Sequence, residues 1–256
     1  MSAFAEIYTA ETSATGSWLA LPWDSERFGF SAARLEPRVD PHRLPHVLDE
    51  CRRAGVRHLT ARPDAGDLVT IRALEAHGFQ FLDGIQTFAL HVESGSIPEL
   101  MPDTAFTVRP FHPADRAQVV EIARGGFIYD RFHADDALPP GVADQVHEDW
   151  IGNCCSGEMA DIVWIAADAD TVLGFITCKL DRERRTGTIG LVATDVIARR
   201  RGVGRALTAQ ALHWFHQQRA TSVQVGTQLA NIPAARLYQS FGFGPVSVSL
   251  TFRRLL

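Results

Sequence analysis

The stretch Thr188-Ile-Gly-Leu-Val-Ala-Thr-Asp-Val-Ile-Ala-Arg-Arg-Arg-Gly-Val-Gly-Arg-Ala-Leu207 joins a strand pattern to a helix through a turn rich in arginine and glycine. A turn that opens a helix presents several backbone N–H groups without partners, and the helix dipole adds partial positive charge there. Phosphate groups bind at such a helix start. Gly202 and Gly204 carry no Cβ, so they let a ligand approach the backbone closely. The stretch therefore predicts a phosphate-binding turn.

Three nucleotide-binding motifs compete for this turn. The P-loop pattern G-x-x-x-x-G-K-[ST] does not occur in the sequence. The dinucleotide fingerprint G-x-G-x-x-G needs a small third residue, but Leu207 stands at that position. The remaining match is Q/R-x-x-G-x-G/A, here Arg199, Gly202 and Gly204, and it resembles the pyrophosphate motif of the GNAT acetyltransferase superfamily. Six residues alone are a weak signal, and a plain basic helix start is the alternative interpretation. The neighbouring elements have to decide between this alternative and the pyrophosphate motif.

Composition limits the kinds of protein that this chain can be. Its 256 residues make room for one large domain or two modest ones, and 46% apolar with 21% charged residues is typical of a soluble globular protein. The net charge of −5 argues against a nucleic-acid partner. The four cysteines have neither metal-ligand spacing nor a disulfide framework, and we expect no metal. The absence of a signal-peptide pattern and of an apolar run near ~20 residues predicts a cytoplasmic protein with no membrane partner.

A stretch rich in glycine, serine and proline at residues 93–103 predicts a boundary between one domain over residues 1–98 and another over 104–256. The first part has helix patterns at 44–54 and 67–77 and strand patterns at 56–61 and 79–92. The second has strand patterns at 106–111, 161–167, 172–180, 188–194, 222–228 and 246–252, and helix patterns at 115–123, 142–154, 202–218 and 232–241. This order predicts an α+β fold with helices packed on a mixed sheet.

Residues 106–252 resemble a whole GNAT domain in the order and spacing of five elements. These are Val108-Arg-Pro-Phe-His-Pro-Ala-Asp115, Val172-Leu-Gly-Phe-Ile176, Ile189-Gly-Leu-Val-Ala-Thr-Asp195, the turn at 199–204, and Asn231-Ile-Pro-Ala-Ala-Arg-Leu-Tyr238 with Phe241-Gly-Phe243. The resemblance implies the GNAT fold, in which helices flank a mixed, mostly antiparallel sheet, and it implies acetyl-CoA as the co-substrate.

Three further motifs resemble the dTDP-fucosamine acetyltransferase family. They are Leu21-Pro-Trp-Asp-Ser-Glu-Arg-Phe-Gly29, Gly78-Phe-Gln-Phe-Leu-Asp-Gly-Ile-Gln-Thr-Phe88 and Arg131-Phe-His-Ala-Asp135. This resemblance implies a truncated GNAT-like N-terminal domain before the complete one, and a nucleotide-linked 4-amino-deoxysugar as the acceptor. We expect Arg131, His133 and Asp135 to contact the acceptor.

The resemblance also assigns the residues that contact acetyl-CoA. They are Val192, Ala193 and Thr194 beside the pantetheine arm, Arg199, Arg200, Arg201, Gly202, Val203, Gly204 and Arg205 around the pyrophosphate, and Asn231 and Tyr238. Tyr238 matches the family tyrosine that protonates the coenzyme A thiolate, although on its helix alone it reads as a half-buried aromatic residue. Asn231 is a favoured helix cap and is also placed to fix Tyr238 or to contact pantetheine. We expect Tyr238 and Asn231 to be the catalytic residues.

The general base stays open at this stage. His133 and Asp135 lie in the segment expected beside the acceptor, while Asp181 and Glu183 follow a central strand. An amino group on a sugar has a lower pKa than an alkylamine, so water is a further candidate for carrying its proton away.

The sequence thus predicts an N-acetyltransferase that acts on a primary amine of a small molecule. An aminoglycoside, an amino acid or a protein amine stays open as the acceptor, as does a non-catalytic acetyl-CoA-binding module. We expect no nucleic-acid partner and leave a homodimer open.

Overall fold

Eleven strands form one continuous sheet in the computed structural model, which describes residues 11–13, 16–37, 39–92 and 105–256. The strands are β1 (Glu11–Thr12), β2 (Trp18–Ala20), β3 (Ala32–Leu35), β4 (His58–Ala61), β5 (Gln80–His91), β6 (Thr107–Pro110), β7 (Ile162–Asp168), β8 (Thr171–Asp181), β9 (Thr186–Thr194), β10 (Ser222–Gln228) and β11 (Gly244–Leu255). The helices are α1 (Pro22–Phe28), α2 (Leu44–Arg53), α3 (Leu68–Ala76), α4 (Arg116–Gly126), α5 (Val142–Cys155), α6 (Val203–Gln217) and α7 (Ile232–Ser240).

The strand order is β1-β2-β3-β4-β11-β5-β10-β9-β8-β7-β6. The β3–β4 and β9–β10 pairs are parallel and the other neighbouring pairs are antiparallel. Strand β5 comes from the first part of the chain, yet it lies between β10 and β11 of the second part. The two parts therefore share one sheet. The boundary predicted at residues 93–103 lies outside the described residues, and the division into two domains stays a prediction.

The long helix α6 packs against the sheet through a continuous apolar side. Its buried residues include Leu207, Ala211 and Phe215, which follow the spacing of one helix face. The Phe215 ring lies over Gly187 of β9 so closely that a Cβ at residue 187 would come within 2.4 Å of it. Glycine at this position thus allows the helix to sit close to the strand that leads into the arginine-rich turn.

Helices cover both faces of the part of the sheet formed by β6 to β10. Val192 packs against the apolar cluster of α6 and α7, whereas its neighbour Ala193 belongs to the cluster of α4 and α5. Successive strand residues point to opposite faces, so these two clusters lie on opposite sides of β9. A third cluster joins α2 and α3 to β3, β4 and β11.

The predicted α+β fold is confirmed, and the predicted strand 222–228 coincides with β10. The helix and strand patterns after residue 43 all appear, with ends that differ by a few residues. The patterns did not predict α1 or strands β1 to β3, because α1 has seven residues and the strands two to four, which is too short for a periodicity to be visible. No helix among the described residues is long and apolar enough to cross a membrane.

Candidate functional site

A cavity of about 1050 Å³ runs through the sheet, because residues from both of its sides line it. On one side the lining includes the start of α6 together with Leu237 and Tyr238 of α7, and on the other it includes His147 and Trp150 of α5. This volume lies near the upper end of the range for ligand sites, roughly 300–1,000 Å³. The cavity therefore joins the phosphate-binding turn to a chamber on the opposite face.

The passage through the sheet lies where β9 and β10 separate. Their parallel pairing runs from Thr186 with Ser222 to Ile189 with Val225 and ends there. The following residues of both strands, 190–194 and 226–228, line the cavity instead. Because the ladder stops, the backbone of β9 beyond Ile189 is open to an extended ligand, which can bind it as an added strand would.

A bulge in β9 marks the start of this separation. The register between β8 and β9 shifts between Ile176 and Cys178, and Thr177 Oγ1 accepts the N–H of Leu191 at 2.8 Å. A Cβ on Gly190 would lie 2.7 Å from that same Oγ1. Glycine at residue 190 is therefore needed for the hydrogen bond that holds the bulge, and bulges bend a strand away from its partner.

The predicted phosphate-binding turn opens directly into the cavity. Arg200 has φ +63° and Gly202 has φ +81°, so the chain turns sharply before α6 begins at Val203. The first N–H groups of this 15-residue helix have no partner within the helix. The turn thus provides the amides and the dipole that the sequence predicts for a phosphate ligand.

A Cβ at Gly204 would fill part of the space beside this turn. It would meet Leu237 Cδ2 at 3.4 Å and Thr194 Cγ2 at 3.9 Å, which are ordinary contact distances, and both of those residues line the cavity. The protein itself thus has room for a side chain here. Glycine keeps the space free for a ligand, which fits the expectation of a pyrophosphate at this position.

Eleven of the twelve residues predicted to contact acetyl-CoA line the cavity, namely Val192, Ala193, Thr194, Arg199, Arg200, Gly202, Val203, Gly204, Arg205, Asn231 and Tyr238. Arg201 does not, and its guanidinium lies 3.7 Å from the Asp168 carboxylate instead. Arg205 lies over the ring of Phe241, 5.0 Å from the ring centre.

Tyr238 and Asn231 meet at the cavity from the same helix. Asn231 Oδ1 accepts the N–H of Ala234 at 3.3 Å, so its side chain caps α7 while its amide N–H groups stay available to a ligand. The Tyr238 ring packs near Phe88 and Phe243, and 4% of the residue is exposed. Burial raises the pKa of Tyr238, so the phenol keeps its proton at neutral pH.

The structure places only one of the three predicted acceptor contacts in the cavity lining. Arg131 lines the cavity and is held by the Asp24 carboxylate at 2.9 Å. His133 and Asp135 are not among the lining residues. Asp135 is buried between His58, at 2.7 Å, and Arg253, at 3.0 Å. Burial alone would raise the pKa of Asp135, but the hydrogen bonds from His58 and the Ala137 N–H and the attraction of Arg253 together outweigh it and hold the pKa below the ordinary value.

His133 lies next to a buried histidine and a buried aspartate. Its Nδ1 is 2.7 Å from Asp130 Oδ2, and His147 Nε2 lies 3.7 Å from the same oxygen. His147 donates its Nδ1–H to the Ala143 carbonyl, and burial lowers the pKa of its ring. The ligand-capable atoms of the three residues lie within 4.8 Å of one another, which is close enough to hold a metal ion.

The first part of the chain builds a polar end of the cavity that the sequence patterns did not reveal. Its members are Asp24, Arg34, Thr60, Arg62 and Asp83, joined by Thr251 of β11. The side chain of Asp83 points inward from a strand that also carries Ile85 in the lining. A charged residue at an inward-facing position of a buried strand, such as Asp83, is the sequence feature that could have indicated this site.

Known proteins resemble this chain in sequence. Residues 127–243 match the model of the acetyltransferase (GNAT) family. The chain is 26% identical to the dTDP-fucosamine acetyltransferase of Escherichia coli O6:H1 over 87% of this chain and 91% of that protein. It is 25% identical to the mycothiol acetyltransferase of Gordonia bronchialis over 88% of this chain and 75% of that protein.

A shorter match joins the chain to the spore coat polysaccharide biosynthesis protein SpsD of Bacillus subtilis. It has 28% identity over 54% of this chain and spans about half, 47%, of that relative. Among solved structures, a GCN5-related N-acetyltransferase from Sphaerobacter thermophilus superposes with a TM-score of 0.65 over 95% of this chain and 79% of that one, at 17% identity. That likeness supports the fold.

Proposed function

We propose that the chain, whose residues 127–243 match the GNAT acetyltransferase family, transfers the acetyl group of acetyl-CoA to a primary amine of a small molecule. The observation that carries this proposal is the cavity, which connects the turn before α6 to a polar chamber through the gap between β9 and β10. Such a passage holds a long cofactor on one face of the sheet and an acceptor on the other.

Each part of the passage has a role in the proposed reaction. The amides at the start of α6 bind the pyrophosphate, and the open backbone of Val192 and Thr194 binds the pantetheine arm. When bound, acetyl-CoA supplies the acetyl group as a thioester. Tyr238 then donates its proton to the sulfur as the thiol leaves, which suits a phenol that is protonated at neutral pH. Asn231 caps the start of α7 and so orients the helix that carries Tyr238.

We favour a nucleotide-linked 4-amino-deoxysugar as the acceptor. One relative that aligns along most of its length is named for dTDP-fucosamine, and another is named for polysaccharide biosynthesis. Arg34, Arg62 and Arg131 at the polar end of the cavity supply positive charge that phosphate groups prefer. The acceptor of the mycothiol acetyltransferases is the second candidate, because that relative aligns over 88% of this chain.

Thiol release tests this proposal. The purified chain is incubated with acetyl-CoA and a panel that contains dTDP-4-amino-4,6-dideoxygalactose, the mycothiol acetyltransferase acceptor, an aminoglycoside, an amino acid and a lysine peptide. We expect release well above the amine-free rate with the dTDP sugar and the highest kcat/KM for it. A preference for another amine refutes the acceptor. A chain that is stabilised by acetyl-CoA in thermal melts but acetylates no amine is instead a binding module.

A further inference from the structure

Asp83 is a buried carboxylate that no side chain in the described part of the chain satisfies. It lies on β5 opposite Thr251 of β11, and residues directly opposite in antiparallel strands share a face. It also shares a face with Ile85, two residues along the strand. All three side chains line the cavity. Asp83 is only 7% exposed, and neither of its carboxylate oxygens has a hydrogen-bond partner.

The neighbours of Asp83 leave its charge incompletely paired. Arg62 and Arg131 attract it, but neither of its oxygens accepts a hydrogen bond. Arg131 is committed to Asp24, and Arg62 Nε, like Thr251 Oγ1, is buried without a partner. A buried carboxylate in this state is unfavourable unless a donor reaches it. The polar end therefore offers unpartnered acceptor oxygens to a ligand that brings donors.

We propose that Asp83 binds the ammonium group of the acceptor and removes one of its protons before acetyl transfer. This inference rests on the function proposed above and names the base that the sequence left open. An ammonium offers a positive charge and up to three N–H donors, which are what the two bare oxygens of Asp83 lack. The residue comes from the first part of the chain, so that part supplies the chemistry of the acceptor end.

The protons and bonds of this step balance. One N–H bond of the ammonium breaks and one O–H bond forms on Asp83, which leaves a lone pair on nitrogen. That lone pair forms the C–N bond to the acetyl carbon while the C–S bond breaks. Tyr238 gives its proton to the sulfur, and the second proton of the nitrogen replaces it. Asp83 then releases its proton to water, so one proton leaves in each turnover.

The environment also adjusts the basicity of Asp83. Burial raises its pKa, while the charges of Arg62 and Arg131 oppose the rise and that of Asp130 adds to it. A carboxylate with a raised pKa is a stronger base for an ammonium, whose pKa lies near ~10.4 in an alkylamine. Asp83 must be ionised to accept the proton, so kcat/KM is expected to fall as the pH drops through its pKa.

The test compares Asp83→Asn with the wild type and with Asp170→Asn, which removes an exposed carboxylate at the turn between β7 and β8. Each is assayed by thiol release from pH 5 to 9, with dTDP-4-amino-4,6-dideoxygalactose as the basic acceptor and with hydroxylamine as a more weakly basic amine. We expect Asp83→Asn to lower kcat/KM for the basic acceptor by about 10²-fold or more. The loss is smaller with hydroxylamine, the acidic limb of the pH profile disappears, and Asp170→Asn matches the wild type.

The outcomes separate this inference from the proposed function. A wild type that releases no thiol with any amine overturns the acetyltransferase function itself. An active wild type with Asp83→Asn within twofold of it and with the same pH profile overturns only the role of Asp83. An equal loss with both amines at every pH also overturns it, because that pattern indicates a structural role. Unchanged melting temperature and acetyl-CoA affinity in Asp83→Asn exclude misfolding as the cause.

Discussion

Substitution of Gly204 separates the stability of the fold from the binding of acetyl-CoA. A Cβ at this position meets Leu237 and Thr194 at 3.4 and 3.9 Å, so the protein accommodates it. Because the residue lies in α6, Gly204→Ala gains roughly 0.8–1 kcal/mol of helix propensity. For a chain of this size that raises the melting temperature of the free protein by about 2–4 °C. The same methyl group occupies the space beside the turn.

The expected loss of affinity follows from the hydrogen bonds that the side chain blocks. A hydrogen bond to a charged group contributes about 1.5–3 kcal/mol. If Gly204→Ala displaces one phosphate contact, about 2 kcal/mol is lost, which weakens coenzyme A binding about 30-fold. The two methyl groups of Gly204→Val block at least two contacts, and a loss of about 4 kcal/mol corresponds to about 10³-fold.

Calorimetric titration with coenzyme A and thermal melts of the free proteins provide the two readouts. Gly125→Ala is the matched control, because Gly125 also lies in a helix, has nothing near its missing Cβ and does not line the cavity. It is expected to raise the melting temperature without changing affinity. The reasoning is refuted if Gly204→Val binds coenzyme A within threefold of the wild type.

Three further substitutions test the catalytic and structural roles. Tyr238→Phe is expected to lower turnover about 10²-fold at unchanged acetyl-CoA affinity in steady-state kinetics, and normal turnover removes Tyr238 from the role of general acid. Asp135→Asn takes one carboxylate from buried Arg253, which keeps only the exposed Asp136, and is expected to cost about 3 kcal/mol in urea unfolding at pH 7. Because the folded pKa of Asp135 is depressed, its contribution is present above its unfolded pKa and is lost as the pH falls through the folded pKa; a penalty that persists in acid contradicts this assignment. Gly187→Ala pushes a methyl group into Phe215 and is expected to destabilise by about 1–3 kcal/mol, whereas wild-type stability in the same urea assay contradicts the close packing.

Local patterns predicted the elements around the phosphate-binding turn because each depends on neighbouring residues. The apolar periodicity of α6 and the glycines at its start are visible within twenty residues. Asn231 as the cap of α7 is likewise a local feature. The candidate contacts at 192–194 and 199–205 were implied by the family resemblance of this stretch, and all but Arg201 line the cavity.

The acceptor end was not predictable in this way, since it is assembled by pairing between distant segments. Strand β5 inserts between β10 and β11, which places Asp83 opposite Thr251, 168 positions later in the sequence. The motif at 131–135 suggested three acceptor contacts, yet only Arg131 lines the cavity. Asp135 contacts His58, 77 positions earlier in the sequence, and Arg253, 118 positions later. A short motif does not reveal partners at such separations.

A crystal structure of the chain with coenzyme A tests the central claim, that the cavity through the sheet is the cofactor site. We predict the pyrophosphate within hydrogen-bonding distance of the amides at residues 202–204. The pantetheine arm lies between β9 and β10, and the thiol points past Tyr238 toward the chamber that contains Asp83. Coenzyme A bound with its pyrophosphate away from this turn, or with its arm outside the gap between the two strands, contradicts the account.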